Sequence, residues 1–190
     1  MLIKDWKRDF FTIPNMLSLF RLGLIPVYVV VYLRASELVD HIVAASILAV
    51  SCLTDMVDGQ IARKFHMVSN FGKFLDPVAD KCTQITMLIC LAIKYPLLWL
   101  LAGLMFVKES FQLTACIVHY FKGEILDGAL ITGKIATAVL FVSLITMVLI
   151  PNIPQQVVIG VTAVNAVLLL IAFGHYIYTF LTHSKIQHLD

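Results

Sequence analysis

Charge is what this sequence has least of. Only 14% of its 190 residues are Asp, Glu, Lys or Arg, against 60% hydrophobic, and the mean hydropathy is +0.92. A soluble domain carries about a quarter charged residues, so a water-facing surface is excluded over much of the chain and a membrane setting is expected. Neither sign dominates, with 14 Lys and Arg against 12 Asp and Glu. Lacking a basic stripe, the chain is not expected to bind nucleic acid. The four cysteines, Cys52, Cys82, Cys90 and Cys116, form no CxxC pair and lie in apolar surroundings. That favours small packed residues in helices over a disulfide framework or a zinc site. Internal repeats, low-complexity tracts and polar linkers are also lacking, which reads as one domain over 1–190. No cleavable signal peptide is evident, because residues 1–10 are charged and amphipathic rather than a basic tip before an apolar core.

What is there in quantity is long apolar runs. A membrane-spanning helix needs about 20 mostly apolar residues, and six stretches fit, near 14–34, 39–63, 71–94, 96–121, 131–150 and 155–182. The fold class expected is all-α: a polytopic bundle of six transmembrane helices over 13–182. An interfacial helix over 1–12 precedes it and a tail over 183–190 follows. In the interfacial helix Trp6, Phe10 and Phe11 would sit among lipid headgroups, with Lys4, Lys7 and Arg8 against anionic lipid. Pro96 and Pro151 read as helix boundaries. Lys4, Lys7, Arg8, Lys64, Lys122 and Lys185 fall on alternate sides of successive helices, all on one face of the membrane. By the positive-inside rule that face and both termini are cytoplasmic.

Against this background four carboxylates stand out: Asp55, Asp58, Asp76 and Asp80. Ionisable groups in apolar helices are costly and mark function. Asp55 and Asp58 are three apart, and Asp76 and Asp80 four apart, so each pair shares a helix face. The segment from Lys64 to Asn70 is long enough to turn the chain back and set the pairs opposite each other at the cytoplasmic ends. Four clustered carboxylates repel unless a cation joins them. All-oxygen ligation suits Mg²⁺ or Mn²⁺, and two such ions can clamp a phosphoryl group. Gly59 and Gly72 leave room for a bulky group beside the backbone, and Arg63 can fork onto a phosphate. A cation transporter or channel is a competing class, but it would spread its carboxylates along the membrane rather than gather them beside Arg63 and Lys81.

The full pattern from Asp55 to Asp80, D-x₂-D-G-x₂-A-R-x₈-G-x₃-D-x₃-D, matches at every fixed position the signature of the CDP-alcohol phosphatidyltransferases. The stretches Ile13 to Arg21 and Phe74 to Lys81 resemble bacterial phosphatidylglycerophosphate synthases and the related cardiolipin synthases. The resemblance implies a six-helix membrane enzyme, in the bacterial cytoplasmic membrane and usually a homodimer, with a polar cavity on the cytoplasmic side. It transfers the phosphatidyl group of CDP-diacylglycerol to an alcohol and releases CMP. Carried onto this sequence, Asp55, Asp58 and Asp76 are metal ligands and Asp80 is ligand and general base. Gly59, Ala62, Arg63 and Gly72 line the CDP-lipid site.

The acceptor is less sharply specified. The resemblance implies a basic cluster for glycerol 3-phosphate, matched here by Lys108-Glu109 and Gly133-Lys134. Two positions that carry cations in the phosphatidylglycerophosphate synthases are Cys116 and Ala136 here. Lys108, Lys134 and Arg21 are the expected acceptor-binding residues, with glycerol 3-phosphate the leading acceptor. Phosphatidylglycerol, as in cardiolipin synthesis, is the alternative, and inositol phosphate and serine stand behind both. Each cation also has a plainer reading: Lys108 as an ion pair with Glu109 that packs helices, Lys134 as a snorkelling residue. Asn15 and Ser18 are polar liners or packing contacts, and His175 a hydrogen-bonded core group.

Overall fold

The computed structural model describes the backbone of residues 12–64, 72–121 and 131–186, and side chains within 12, 15–54, 72, 75–115 and 131–180. Every element among the described residues is helical: α1 (Ile13–Arg34), α2 (Leu38–Lys64), α3 (Gly72–Lys94), a 3₁₀ turn (Pro96–Leu98), α4 (Trp99–Phe121), α5 (Ile131–Leu149) and α6 (Gln155–Ile186). The six expected helices are all present, with ends within a few residues of those read from the sequence. The expected interfacial helix falls on residues outside the described set.

Among the described residues four stretches are long and apolar enough to cross a membrane: Asn15–Arg34, Pro96–Ala115, Ile131–Leu149 and Gln155–Phe180. In α2 the described part of the apolar stretch is Leu38–Thr54, and the sequence beyond it carries Asp55, Asp58 and Arg63. In α3 the carboxylates Asp76 and Asp80 and the cation Lys81 occupy the opening turns. Large apolar side chains stand exposed on α1 (Val27, Val30), α4 (Phe106) and α6 (Val167, Ile171). Apolar exposure on that scale marks a surface that meets something other than water.

The helix ends follow local chemistry. Thr12 precedes α1 in an extended conformation, with Pro14 in the first turn, where its missing N–H costs nothing. At the start of α2 the Asp40 carboxylate accepts from the backbone N–H groups of Ser36 (3.0 Å) and Glu37 (3.1 Å), which satisfies two orphan donors. Before α6, Asn152 takes φ 55°, a left-handed conformation that Asn tolerates better than most residues.

The chain forms two compact units. The first comprises residues 1–91 with 145–152, the second 92–144 with 153–190. In the first, α1 and α2 pack along their lengths around Tyr28, Tyr32, Ala44 and Leu48, all buried. Tyr28 stacks on Tyr32, and Tyr32 meets His41 edge-on, each at 5.7 Å between ring centroids. His41 Nδ1 lies 2.8 Å from the Val148 carbonyl. A carbonyl only accepts, so the Nδ1–H tautomer is the one this contact selects.

In the second unit α4 packs on α6, and the 3₁₀ turn touches both. Tyr95 Oη accepts from the Ile153 backbone N–H at 2.9 Å and ties the two connecting loops. Asn165 on α6 donates to Ser143 Oγ on α5 at 3.1 Å, a hydrogen bond of the kind that holds membrane helices together. Phe111 packs edge-on against Phe173 and Phe180. Cys52, Cys82 and Cys90 are thiols rather than disulfides, in keeping with the packing role read from their setting.

Candidate active site

Asp55, Asp58, Gly59, Ala62 and Arg63 lie on the last turns of α2, as expected. Their side chains, and the turn from 65 to 71, fall outside the described residues. The other half of the motif is described. α3 opens at Gly72, which is buried, and carries Asp76 and Asp80 one turn apart. Between them Pro77 lies inside the helix. Its ring nitrogen has no hydrogen to donate, so the Lys73 carbonyl cannot receive the usual helical bond from residue 77, and the helix is locally weakened at this turn.

α1 supplies what meets these carboxylates. Asn15, Ser18 and Arg21 recur every three residues on one face and are all buried, at 1%, 0% and 2% exposure. Ser18 Oγ donates to Asp76 Oδ1 at 2.5 Å, the length of a charge-assisted O–H···O⁻ bond. Arg21 Nη1 donates to Asp80 Oδ1 and pairs with it as an ion. Arg21 is sealed in the helix packing, whereas the Asp80 side chain keeps 52% of its surface exposed. A buried guanidinium is tolerated only with such a partner.

Beside this pair, α1, α2 and α3 enclose a pocket of about 210 Å³, counting the space at its open mouth. Its walls include Arg21, Tyr28, Ser51 and Thr83 together with apolar residues. It is smaller than the several hundred cubic ångströms usual for a small-molecule site. Thr83 Oγ1 donates to the Ala79 carbonyl at 2.9 Å, which occupies its hydrogen within the helix.

The donor set fits a hard divalent cation. Asp76 and Asp80 offer only oxygen, two carboxylate oxygens each, the kind of donor a hard cation takes. Among the described residues no three His, Cys, Asp or Glu gather into a metal-binding group. The remaining expected ligands, Asp55 and Asp58, are the ones whose side chains are not described.

The expected acceptor residues divide between the units. Lys108 on α4 is 3% exposed and lies 2.8 Å from Glu109 Oε1, so the ion pair read from the sequence is present. Its Nζ also stands 5.6 Å from the centre of the Tyr176 ring on α6. Gly133 on α5 makes that arrangement possible: a Cβ there would come within 2.8 Å of Tyr176 Oη and 2.9 Å of Cε2. Lys134 is exposed, and Ala136 is packed at 1% exposure. Cys116 has no described side chain. Arg21, expected on the acceptor side, makes its described contact with Asp80, which takes one nitrogen of its five-donor fork. His175 is exposed and hydrogen-bonded to Thr132 at 3.0 Å, so it has its partner without being in the core.

Two residues have more to do here than the sequence indicated. Ser18 looked like a packing contact as readily as a liner. Tyr176 had no signal apart from the glycine at 133, 43 positions away, whose meaning depends on the packing of α5 on α6.

The model of the CDP-alcohol phosphatidyltransferases matches residues 11–177, which spans both halves of the aspartate motif and the α1 seam. The chain belongs to the CDP-alcohol phosphatidyltransferase family. It is thus a phosphatidyltransferase with membrane helices, and its family is one that generally depends on divalent metal. Among curated relatives, a CDP-diacylglycerol–glycerol-3-phosphate 3-phosphatidyltransferase of Bacillus subtilis is 31% identical over 160 residues, covering 78% of this chain and 81% of the relative. A probable phosphatidylglycerophosphate synthase of Mycobacterium tuberculosis is 32% identical over 164 residues, covering 85% and 78%. A probable cardiolipin synthase (CMP-forming) of Drosophila melanogaster is 36% identical over 114 residues, but those cover 60% of this chain and 34% of the relative.

Proposed function

We propose that this phosphatidyltransferase moves the phosphatidyl group of CDP-diacylglycerol to glycerol 3-phosphate, giving phosphatidylglycerophosphate and CMP. The observation that carries the acceptor is the breadth of the likeness. The Bacillus subtilis and Mycobacterium tuberculosis relatives, named for this reaction or its product, align over more than three quarters of both chains. The cardiolipin synthase aligns over barely a third of its own length.

In this reading Asp55, Asp58, Asp76 and Asp80 hold Mg²⁺ or Mn²⁺, as two ions. Bound there, the metal supplies positive charge to the pyrophosphate and to the attacked phosphorus. Gly59, Ala62, Arg63 and Gly72 line the CDP-lipid site, and Arg63 pairs with phosphate. Asp80, half exposed, takes the proton from the acceptor hydroxyl. The hydroxyl oxygen bonds to the phosphatidyl phosphorus, and the bond from that phosphorus to the bridging oxygen breaks. CMP leaves with the electron pair, and Asp80 later returns its proton to water. Lys108 and Lys134 provide charge for the acceptor phosphate. The chain acts as one catalytic domain of six spanning helices behind an interfacial helix. It works as a homodimer, with the site and both termini on the cytoplasmic side.

A second reading, phosphatidylglycerol as acceptor and cardiolipin as product, draws on one observation. Two cation positions that the resemblance assigns to phosphatidylglycerophosphate synthases are Cys116 and Ala136 here, and Ala136 is packed in the core, where a long cation has no room. The test is CMP release by purified protein with CDP-diacylglycerol, Mg²⁺ or Mn²⁺, and each acceptor in turn. Release with glycerol 3-phosphate is expected. Release with phosphatidylglycerol alone would replace the first reading by the second.

A further inference from the structure

We infer that Ser18 and Arg21 of α1 are positioning residues, which fix the orientation of the Asp76 and Asp80 carboxylates of α3 for metal. The inference rests on the proposed phosphatidyl transfer and adds residues outside the motif that names the family.

Four observations support it. First, the contacts form two matched rungs. Residues three apart on α1 meet residues four apart on α3: Ser18 with Asp76, and Arg21 with Asp80. A rise of about 1.5 Å per residue makes these spacings roughly 4.5 and 6 Å, close enough for two inclined helices to align both rungs. Second, both donors are fully enclosed while their acceptors are not: Asp76 is half-buried and Asp80 is 52% exposed. The fixed partner is therefore α1, itself packed along α2, and the carboxylates are what it holds. Third, each described contact uses Oδ1. Outer hydrogen bonds of this kind orient ligating carboxylates, and their loss typically costs about 10- to 100-fold in metal affinity or activity. Fourth, Pro77 removes one of α3's own hydrogen bonds between the two aspartates. The turn that must aim both carboxylates is thus less constrained by its own backbone and depends more on α1.

A purely structural role for Ser18 and Arg21 would lower thermal stability and leave the folded protein's metal affinity unchanged. The deciding measurement is therefore Mn²⁺ binding, read by electron paramagnetic resonance on purified full-length protein in lipid nanodiscs. Thermal unfolding and CMP-release kinetics are recorded in parallel. Ser18→Ala removes one oxygen from an enclosed site and should fold. We expect it to weaken Mn²⁺ binding about tenfold or more and to lower kcat, with KM for CDP-diacylglycerol within about twofold. Ser18→Thr, which keeps the hydroxyl, should recover most of the affinity. Arg21→Met should weaken binding at least as much, and Arg21→Lys should recover part of it. If Arg21→Met does not fold, Ser18→Ala and Ser18→Thr decide. Wild-type Mn²⁺ affinity in Ser18→Ala and Arg21→Lys, with only the unfolding temperature lowered, overturns the inference and leaves the proposed function standing. Wild-type protein that neither binds Mn²⁺ nor releases CMP brings down the functional proposal, and this inference with it.

Discussion

The two buried cations among the described residues have nearly the same exposure, Arg21 at 2% and Lys108 at 3%, and each is paired with a carboxylate. Their pairs are built differently. Arg21 reaches a residue 59 positions away on another helix, whereas Lys108 reaches its immediate neighbour, Glu109. A long-range pair is part of the tertiary framework, because breaking it releases one helix from another. A pair between neighbours does not by itself join two helices, and Lys108 meets α6 through the Tyr176 ring, 5.6 Å from its Nζ to the ring centre. In the proposed reaction Lys108 would exchange Glu109 for the acceptor phosphate, whereas parting Arg21 from Asp80 would loosen the hold of α1 on α3.

The largest effect expected anywhere is at Asp80. Asp80→Asn should lower CMP release by about 10²–10⁴-fold, the usual worth of a general base, and leave CDP-lipid binding largely intact. Persisting activity would remove Asp80 from that role and weaken the idea that the Arg21 side of the comparison holds the chemistry. Next come the cations themselves. Arg21→Met should destabilise the protein by about 1.5–3 kcal/mol, the worth of a hydrogen bond to a charged group, because Asp80 is exposed enough for water to take over part of the lost contact. Lys108→Met should cost less, about 0.5–1 kcal/mol for the lost attraction of the Tyr176 ring. It should raise KM for glycerol 3-phosphate by about 10- to 100-fold, from the same 1.5–3 kcal/mol applied to a phosphate contact. Chemical denaturation and acceptor titration at saturating CDP-lipid measure the two. If Lys108→Met destabilises as much as Arg21→Met and leaves KM alone, the two pairs are equivalent and the contrast fails.

How legible each region was follows from the same difference. Six helices were readable because long apolar runs, with Pro14, Pro96 and Pro151 near their ends, leave few alternatives; among the described residues four of them hold a stretch of spanning length. The Asp55 to Asp80 motif was readable because its spacings lie within two adjacent helices. That Lys108 pairs with Glu109 was readable too, being a contact between neighbours. The partners of Ser18 and Arg21 were not, since a contact across 58 or 59 residues depends on how α1 meets α3, and no local spacing encodes that. Arg21 was expected on the acceptor side for the same reason: a buried cation advertises an anion without saying which. Cys116 and Ala136 were read as missing cations. For Ala136 the packed core around it adds a reason that sequence cannot supply.

The smallest expected effect is also the finest test of the Lys108 side. A methyl group at position 133 would collide with the end of the Tyr176 ring. A side-chain tip can swing aside more cheaply than backbone can shift, so Gly133→Ala should displace Tyr176 from above Lys108 rather than unfold the helix. Alanine also favours helix over glycine by up to about 1 kcal/mol, so stability should hold or rise. What is lost is the ring's attraction for the ammonium, about 0.5–1 kcal/mol, which corresponds to roughly a two- to fivefold increase in acceptor KM. Tyr176→Leu should give the same increase by a different route, and combining the two changes should add little. A double variant whose effect is the product of the singles would show that Gly133 acts on the acceptor independently of Tyr176. Unchanged KM in both singles would reduce Lys108–Glu109 to a packing pair, and Arg21 would then be the only one of the two buried cations with a part in the reaction.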